Sequence, residues 1–390
     1  MKNILFLHQS AELYGSDKTI LLFISNLDKT KYNPIVILPF EGPLKTELEK
    51  NNITVIIAPI LKLYRKMFTP KGLLNFYKEY KEGMETLKQL HAKYNFALVY
   101  SHTLAVLIGI LFAKKYHIKH LWHVQEILAR PVIINKTFKK ILNSKHNHKV
   151  IYDSKETMQF WIEGDKNLTQ KSDFIWNALD VSQMNVVSQE TIEDVRKNSL
   201  KVGKETIVIA LVGRINSWKG QPLLLEAFNL LQKKYSQIKL VYIGAPPPNQ
   251  DFFEDDLRTK ISSYNLNDKV SIIPFQLDIH PFWAAIDIAV VPSTEPEPFG
   301  MVAIEAMFHQ KPVVAANHGG LTEIVIPQET GFLFQNNNLE SLASNIEELI
   351  KDEQKRNLFG SNGKRRVHET FSLDQHVEKF EKVFEELINA

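Results

Sequence analysis

The sequence contains no cysteine, which removes disulfides, thiolate nucleophiles and cysteine-ligated metal sites from consideration and fits a reducing cytosol. Long apolar runs are also missing: none approaches the roughly 18 residues that a membrane span requires. Met1 to Leu7 is too short, and too quickly interrupted by His8 and Gln9, to serve as a signal peptide. The expectation is therefore a cytoplasmic protein without a span, in which sequons such as Asn135-Lys136-Thr137 carry no meaning. Glycine is sparse, 16 in 390 residues, and nowhere forms Gly-x-Gly-x-x-Gly, so the dinucleotide fingerprint of a dehydrogenase is absent. No Asp-x-Asp occurs, which argues against a metal-bridged diphosphate and leads us to expect no metal and no cofactor. With neither a Gly-aromatic RNA signature nor zinc-finger spacing, nucleic acid is not an expected partner.

What is present is ordinary in bulk and uneven in distribution. A chain of 390 residues exceeds what one hydrophobic core usually serves, so two domains are expected. The net charge of +3 hides an asymmetry: residues 1–175 hold 26 Lys/Arg against 15 Asp/Glu, whereas residues 176–390 hold 21 against 29. A basic half suits an anionic lipid surface or an acidic substrate.

Short apolar, β-branched runs alternate with helical patterns along the whole chain. Lys2–His8, Pro34–Pro39, Ile53–Ala58, Phe96–Tyr100, His120–Val124, Lys149–Tyr152 and Phe174–Trp176 read as strands. Helices are expected between them, including one from Leu104 to Lys115. Residues 181–205 carry no strand signal, and the hinge belongs there. A second alternation follows through Thr206–Val212, Ile238–Gly244, Val270–Pro274, Ile286–Val291, Pro312–Ala315 and Gly331–Phe334. Strand, loop and helix open each half, the repeat expected of two parallel, Rossmann-like sheets.

The chemistry concentrates after Ile286–Val291, in Pro292-Ser293-Thr294-Glu295-Pro296-Glu297-Pro298-Phe299-Gly300 and the helix that Met301 begins. Pro296 and Pro298 hold the loop extended, and Gly300 lets the backbone approach a ligand closely. Glu297 and Glu305 then flank a helix start at the carboxyl end of a parallel strand, where open α/β sheets bind ligands. They are compatible with two roles, ligand contact or simple dipole stabilisation. Gly213-Arg214-Ile215-Asn216-Ser217-Trp218-Lys219-Gly220 places two cations across a loop, suited to a diphosphate or merely solvated. A second glycine turn, Gly319-Gly320-Leu321-Thr322-Glu323, opens another helix, and Gly15 opens one in the first half. His8, His102 and His123 each fall at the carboxyl end of a strand of the first sheet. Basic and apolar residues interleave in Lys62–Phe68 and Lys136–Leu142, which suits either anionic lipid or an amphipathic helix packed on its own sheet.

The order Pro292-Ser293, Glu297, Phe299-Gly300, Glu305-Ala306-Met307 resembles the donor-site signature of the retaining nucleotide-sugar glycosyltransferases of group 1. That resemblance covers most of the second half strongly and the first half in outline. It implies an α/β, GT-B architecture of two Rossmann-like domains facing across a cleft: 1–180 for the acceptor, 181–370 for the donor, and 371–390 as a helix returning to the first domain. It implies that Arg214 and Lys219 clamp the donor diphosphate and that Glu305 accepts from the ribose hydroxyls. Glu297 and the amides of Phe299, Gly300 and Met301 would hold the sugar, with Gly15, Gly213 and Gly320 lining the donor. His123 would donate to a sugar hydroxyl near the reacting carbon, and His8 and His102 would serve the acceptor.

The activity so implied is retaining transfer, without metal, of a hexose-type sugar. The donor would be a UDP-sugar, with a GDP-sugar as the alternative, and the acceptor a glycan or lipid-linked molecule in bacterial surface polysaccharide assembly. The place would be the cytoplasm or the inner face of the plasma membrane. The competing readings are a nucleotide-sugar epimerase of similar architecture and a non-catalytic hinged binding protein. Three positions depart from the pattern: Tyr14-Gly15 where paired glycines are frequent, Gln310 where glycine is usual, so that the turn is expected to be built differently, and Phe275 near the expected nucleobase pocket.

Overall fold

Runs of β-branched and aliphatic residues, too short for helices and closed off by turn residues, build two wholly parallel sheets. The structure, a computed structural model, describes residues 1–62, 69–182 and 186–390. The basic segment Lys62–Phe68 lies outside the described residues apart from Lys62. The chain divides into two compact units, residues 1–178 with 373–390, and residues 179–372. These limits differ by two residues from 180 and 370 because Leu179 and Ser372 bridge one another, which ties both to the second unit.

The first unit carries β1 (Lys2–Leu7), β2 (Tyr32–Leu38), β3 (Thr54–Ile57), β4 (Leu98–His102), β5 (Lys119–Val124), β6 (Lys149–Tyr152) and β7 (Ser172–Phe174). Their order across the sheet is β3-β2-β1-β4-β5-β6-β7. The second unit carries β8 (Ile207–Val212), β9 (Ile238–Ile243), β10 (Val270–Ile273), β11 (Ile288–Val291), β12 (Val313–Ala316) and β13 (Gly331–Phe334), ordered β10-β9-β8-β11-β12-β13. Each is a doubly wound sheet whose strand order reverses beside its first strand, so loops leaving the carboxyl ends diverge there and leave room for a ligand.

Two expectations shift. The edge strand ends at Phe174 rather than beginning there, because Ser172–Phe174 pairs in register with Val150–Tyr152. The helix expected from Leu104 starts at Ile108. Thr103 adopts a left-handed φ of 76°, the amide of Leu104 is taken by the Glu126 carboxylate at 3.1 Å, and Leu104 and Ala105 form a turn ahead of the helix. The turn at Gln310 has a left-handed backbone, φ 58°, a conformation that favours glycine and strains a larger side chain.

The helix Leu373–Asn389 packs on the first sheet. Its period-3.6 apolar face, Leu373, Val377, Phe380, Val383, Phe384 and Leu387, is buried with Phe6, Phe23 and Tyr100. Aromatic rings take part in that contact, with Phe380 and Phe384 lying 4.6 and 6.0 Å from Phe23. Phe384→Ala leaves a cavity under this helix and is expected to lower stability by about 3–5 kcal/mol, read as a fall in the urea midpoint. Gln310→Gly relieves the left-handed strain and is expected to raise stability by up to about 1 kcal/mol in the same titration; a loss would contradict the strain.

Candidate functional site

In the second unit, three loops leaving the carboxyl ends of β8, β11 and β12 are held together by backbone contacts so close that they dictate glycine. Gly220 has φ 81°, and a Cβ there would lie 1.9 Å from the Pro292 carbonyl oxygen. A Cβ on Gly319 would meet the Glu297 carbonyl oxygen at 2.3 Å, and one on Gly320 would meet the Phe299 backbone at 2.6 Å. Hydrogen bonds seal the same joins: Thr294 N donates to Trp218 O at 2.7 Å, and Gly320 N donates to Glu297 O at 2.8 Å.

Within this frame Lys219 reaches Glu297, Nζ to Oε1 at 2.6 Å, with side-chain exposures of 18% and 6%. Ser293 Oγ donates to the same oxygen at 2.6 Å. Both contacts fall on Oε1, and Oε2 has no hydrogen bond among the described residues. The Lys219 loop is shaped by Asn216, whose Oδ1 accepts from the amides of Trp218 and Lys219 at 3.1 and 3.0 Å, and the ammonium lies over the Trp218 ring at 4.3 Å. Behind it, the buried Gln221 donates to Arg214 O at 2.8 Å and accepts at its own carbonyl from Tyr242 OH at 2.9 Å. Gly213 starts this loop and Arg214 follows it with an exposed side chain. Gly300, φ 116°, caps the helix Met301–Phe308, whose first amides have no partner within the helix. The Phe299 ring is buried against Phe371, so only its backbone is left to face a ligand. Glu305 sits one turn into the helix and accepts from Trp283 Nε1 at 3.3 Å. Phe275 stands 44% exposed just beyond β10.

In the first unit, His8, His102 and His123 do come together, and they are buried, at 0, 1 and 1% exposure. His8 Nε2 lies 2.7 Å from Asp17 Oδ1, and His8 Nδ1 lies 2.9 Å from His102 Nδ1. The rings of His102 and His123 are 5.0 Å apart, and His123 Nδ1 lies 2.6 Å from Tyr100 OH. Burial holds all three histidines below their ordinary pKa, and His102 and His123 well below it. The rings are consequently neutral at pH 7. Gly15 begins the helix Gly15–Ser25 with open space where a side chain would be.

Sequence reasoning passed over Asp17, Tyr100, Glu126, Trp283 and His318. Asp17 has a readable signal, an acid at the third position of a helix, where its Oδ2 accepts from Tyr14 N at 3.0 Å. Glu126 lies two residues beyond β5; its carboxylate accepts from the amides of Leu104 and Gln125, and burial pushes it up to about 7. His318, on the β12 turn, donates from Nε2 to Ser293 O at 2.8 Å; nothing in the sequence pairs these two.

The sequence profile described as glycosyl transferases group 1 matches residues 192–366, inside the second unit. Among curated relatives, a capsular polysaccharide biosynthesis glycosyltransferase, CapM, of Staphylococcus aureus is 32% identical over 184 residues, 47% of either chain. A lipopolysaccharide 1,2-N-acetylglucosaminetransferase of Salmonella typhimurium is 29% identical over 197 residues, 49% of this chain and 51% of that one. The chain thus spans about half the length of these curated relatives. Among solved structures, HepE of Anabaena, crystallised with UDP-glucose, aligns over 99% of this chain and 100% of its own with a TM-score of 0.83 at 24% identity, a likeness of fold. The fold is GT-B, and residues 192–366 of the second unit carry the sequence profile of the glycosyl transferases of group 1.

Proposed function

We propose that the protein is a retaining, metal-independent glycosyltransferase that moves a hexose-type sugar from a nucleoside diphosphate sugar to a glycan or lipid-linked acceptor in bacterial surface polysaccharide assembly. A UDP-sugar is the favoured donor and a GDP-sugar the alternative. One observation carries the reading: Lys219 and Glu297, distant in sequence, are paired at 2.6 Å beside a helix start at the carboxyl ends of parallel strands. A cation, a carboxylate with a free oxygen, and unpaired amides are what a sugar joined to a diphosphate requires. The names of the capsular and lipopolysaccharide relatives, and the UDP-glucose held by HepE, support the same direction.

In this reading Lys219 and Arg214 stabilise charge that grows on the departing diphosphate as its bond to the anomeric carbon lengthens. The acceptor hydroxyl attacks that carbon from the same face, and its proton passes to the leaving phosphate oxygen, which yields retention without a protein nucleophile. Oε2 of Glu297 and the amides of Phe299, Gly300 and Met301 hold the sugar, and Glu305 accepts from the ribose. The protein supplies position and electrostatics.

A lipid-linked acceptor would lie at a bilayer surface, and the helix Val132–Leu142 suits that surface. Phe138 and Leu142 anchor it in the first unit, while Val132 and Ile133 are 59% and 75% exposed beside exposed Arg130, Lys136 and Lys140. Apolar side chains ringed by cations match an anionic headgroup region.

Donor hydrolysis in the absence of acceptor tests the site. Lys219→Ala is expected to lower kcat about 100-fold or more, and Glu305→Ala is expected to raise KM for the UDP-sugar about tenfold with a smaller change in kcat; retention of full turnover in both variants would overturn the assignment. Liposomes of anionic lipid are expected to co-sediment the protein at low salt, and equal recovery with neutral liposomes would contradict the lipid-facing helix.

A further inference from the structure

The histidines of the first unit form a hydrogen-bonded series in which the position of every proton is determined. Asp17 stands at one end. Its Oδ1 accepts from His8 Nε2 at 2.7 Å, and a carboxylate can only accept, so His8 carries its proton on Nε2. Burial keeps His8 neutral at pH 7, and its Nδ1 is therefore a bare acceptor. That nitrogen faces His102 Nδ1 at 2.9 Å, which must be the donor. A neutral His102 protonated on Nδ1 has a lone pair on Nε2.

The adjacent ring is fixed with the opposite polarity. Tyr100 is fully buried and has His123 Nδ1, at 2.6 Å, as its hydrogen-bond partner. If the phenol donates, only His123 Nε2–H is left unpaired. If the ring donated instead, both the phenolic hydrogen and the Nε2 lone pair would be buried without partners, at a cost each time. Tyr100 therefore donates, and His123 carries its proton on Nε2.

Two nitrogens of this series are without partners among the described residues: His102 Nε2 and His123 Nε2, both buried. They sit on residues that are register partners of neighbouring strands, with ring centroids 5.0 Å apart and planes inclined at 60°. One is an obligate acceptor and the other an obligate donor. A single hydroxyl, like a water molecule, both donates and accepts and so satisfies the two together; an ammonium, a carboxylate or a carbonyl does not.

We propose that Asp17 is a positioning residue that, through His8, fixes the tautomer of His102 so that His102 and His123 hold one hydroxyl of the sugar substrate between an acceptor and a donor. The proposal extends the sugar-transfer reading and rests on it for the nature of the ligand. It makes an asymmetric prediction about Asp17→Asn. Tyr14 N still needs the oxygen acceptor it now finds on Asp17, at 3.0 Å, so the new amide turns its NH₂ toward His8 Nε2. His8 then moves its proton to Nδ1, His102 moves its own to Nε2, and two donors face the hydroxyl.

The experiment reads the imidazole nitrogens of the ¹⁵N-histidine-labelled full chain by two-bond proton correlation, with signals assigned through His102→Gln and His123→Gln. The wild type is expected to show His102 protonated on Nδ1, and His8 and His123 protonated on Nε2. Asp17→Asn is expected to exchange the tautomers of His8 and His102, to lower UDP-glucose turnover about tenfold, and to leave UDP affinity unchanged. Because Asp17 also caps a helix, His8→Phe provides an independent variant: it leaves the cap intact and should release His102 into a mixture of both tautomers. A wild-type His102 protonated on Nε2, an unchanged His102 in both variants, or an exchanged tautomer with undiminished turnover would each overturn the proposal. A wild-type enzyme that turns over no nucleotide sugar yet shows the stated tautomers would instead count against the transfer reading.

Discussion

The second unit depends on three loops meeting closely enough, backbone against backbone, for one ion pair to form between them. Lys219 and Glu297 are 78 positions apart in the chain and 2.6 Å apart in space. Their side chains are largely shielded from water, so removing either would strand its partner. The contact exists because Gly220 lets the first loop lie against Pro292, and because Gly319 and Gly320 let the third lie against Glu297 and Phe299. Any side chain at these three glycines would hold the loops apart. The frame is thus set by backbone packing, and the charges are its consequence. A cation fixed in advance, with its counter-charge attached to the same frame, is the arrangement that stabilises a leaving diphosphate with little reorganisation.

The first unit solves a different problem, that of keeping polar rings inside an apolar layer. His8, His102 and His123 end adjacent or neighbouring strands, and a C-terminal helix rich in phenylalanine covers them, with Phe380 lying 5.1 Å from His123. Burial drives the rings to their neutral forms, and neutral imidazoles can pass a fixed donor–acceptor sense along a series without carrying charge. Histidine is the only side chain suited to this, since it offers one donor and one acceptor on opposite sides of a rigid ring.

Much of this was legible in the sequence, and the parts that were not have physical reasons. Parallel strands announce themselves because both faces are buried, and the fifteen-residue stretch from Ile286 to Gly300 combines that signal with proline and glycine in fixed order. The pairing of Lys219 with Glu297 was approachable because both lie just past strand ends, and the doubly wound order brings β8 and β11 side by side. Tyr100 escaped notice because its role depends on a hydrogen bond to a residue of another strand, which no local period records, and the capping signal of Asp17 says nothing of its bond to His8. Glu126 lay in plain view, but its elevated pKa arises from burial, and burial is a property of the folded state.

The most direct test of the central claim is a double-mutant cycle on Lys219→Met and Glu297→Gln, with kcat/KM for UDP-sugar hydrolysis as the readout. If the two side chains act as one unit within the donor site, the double variant loses little more than the worse of the single variants, and the coupling energy is large. Losses that simply add would show two independent side chains and contradict the account.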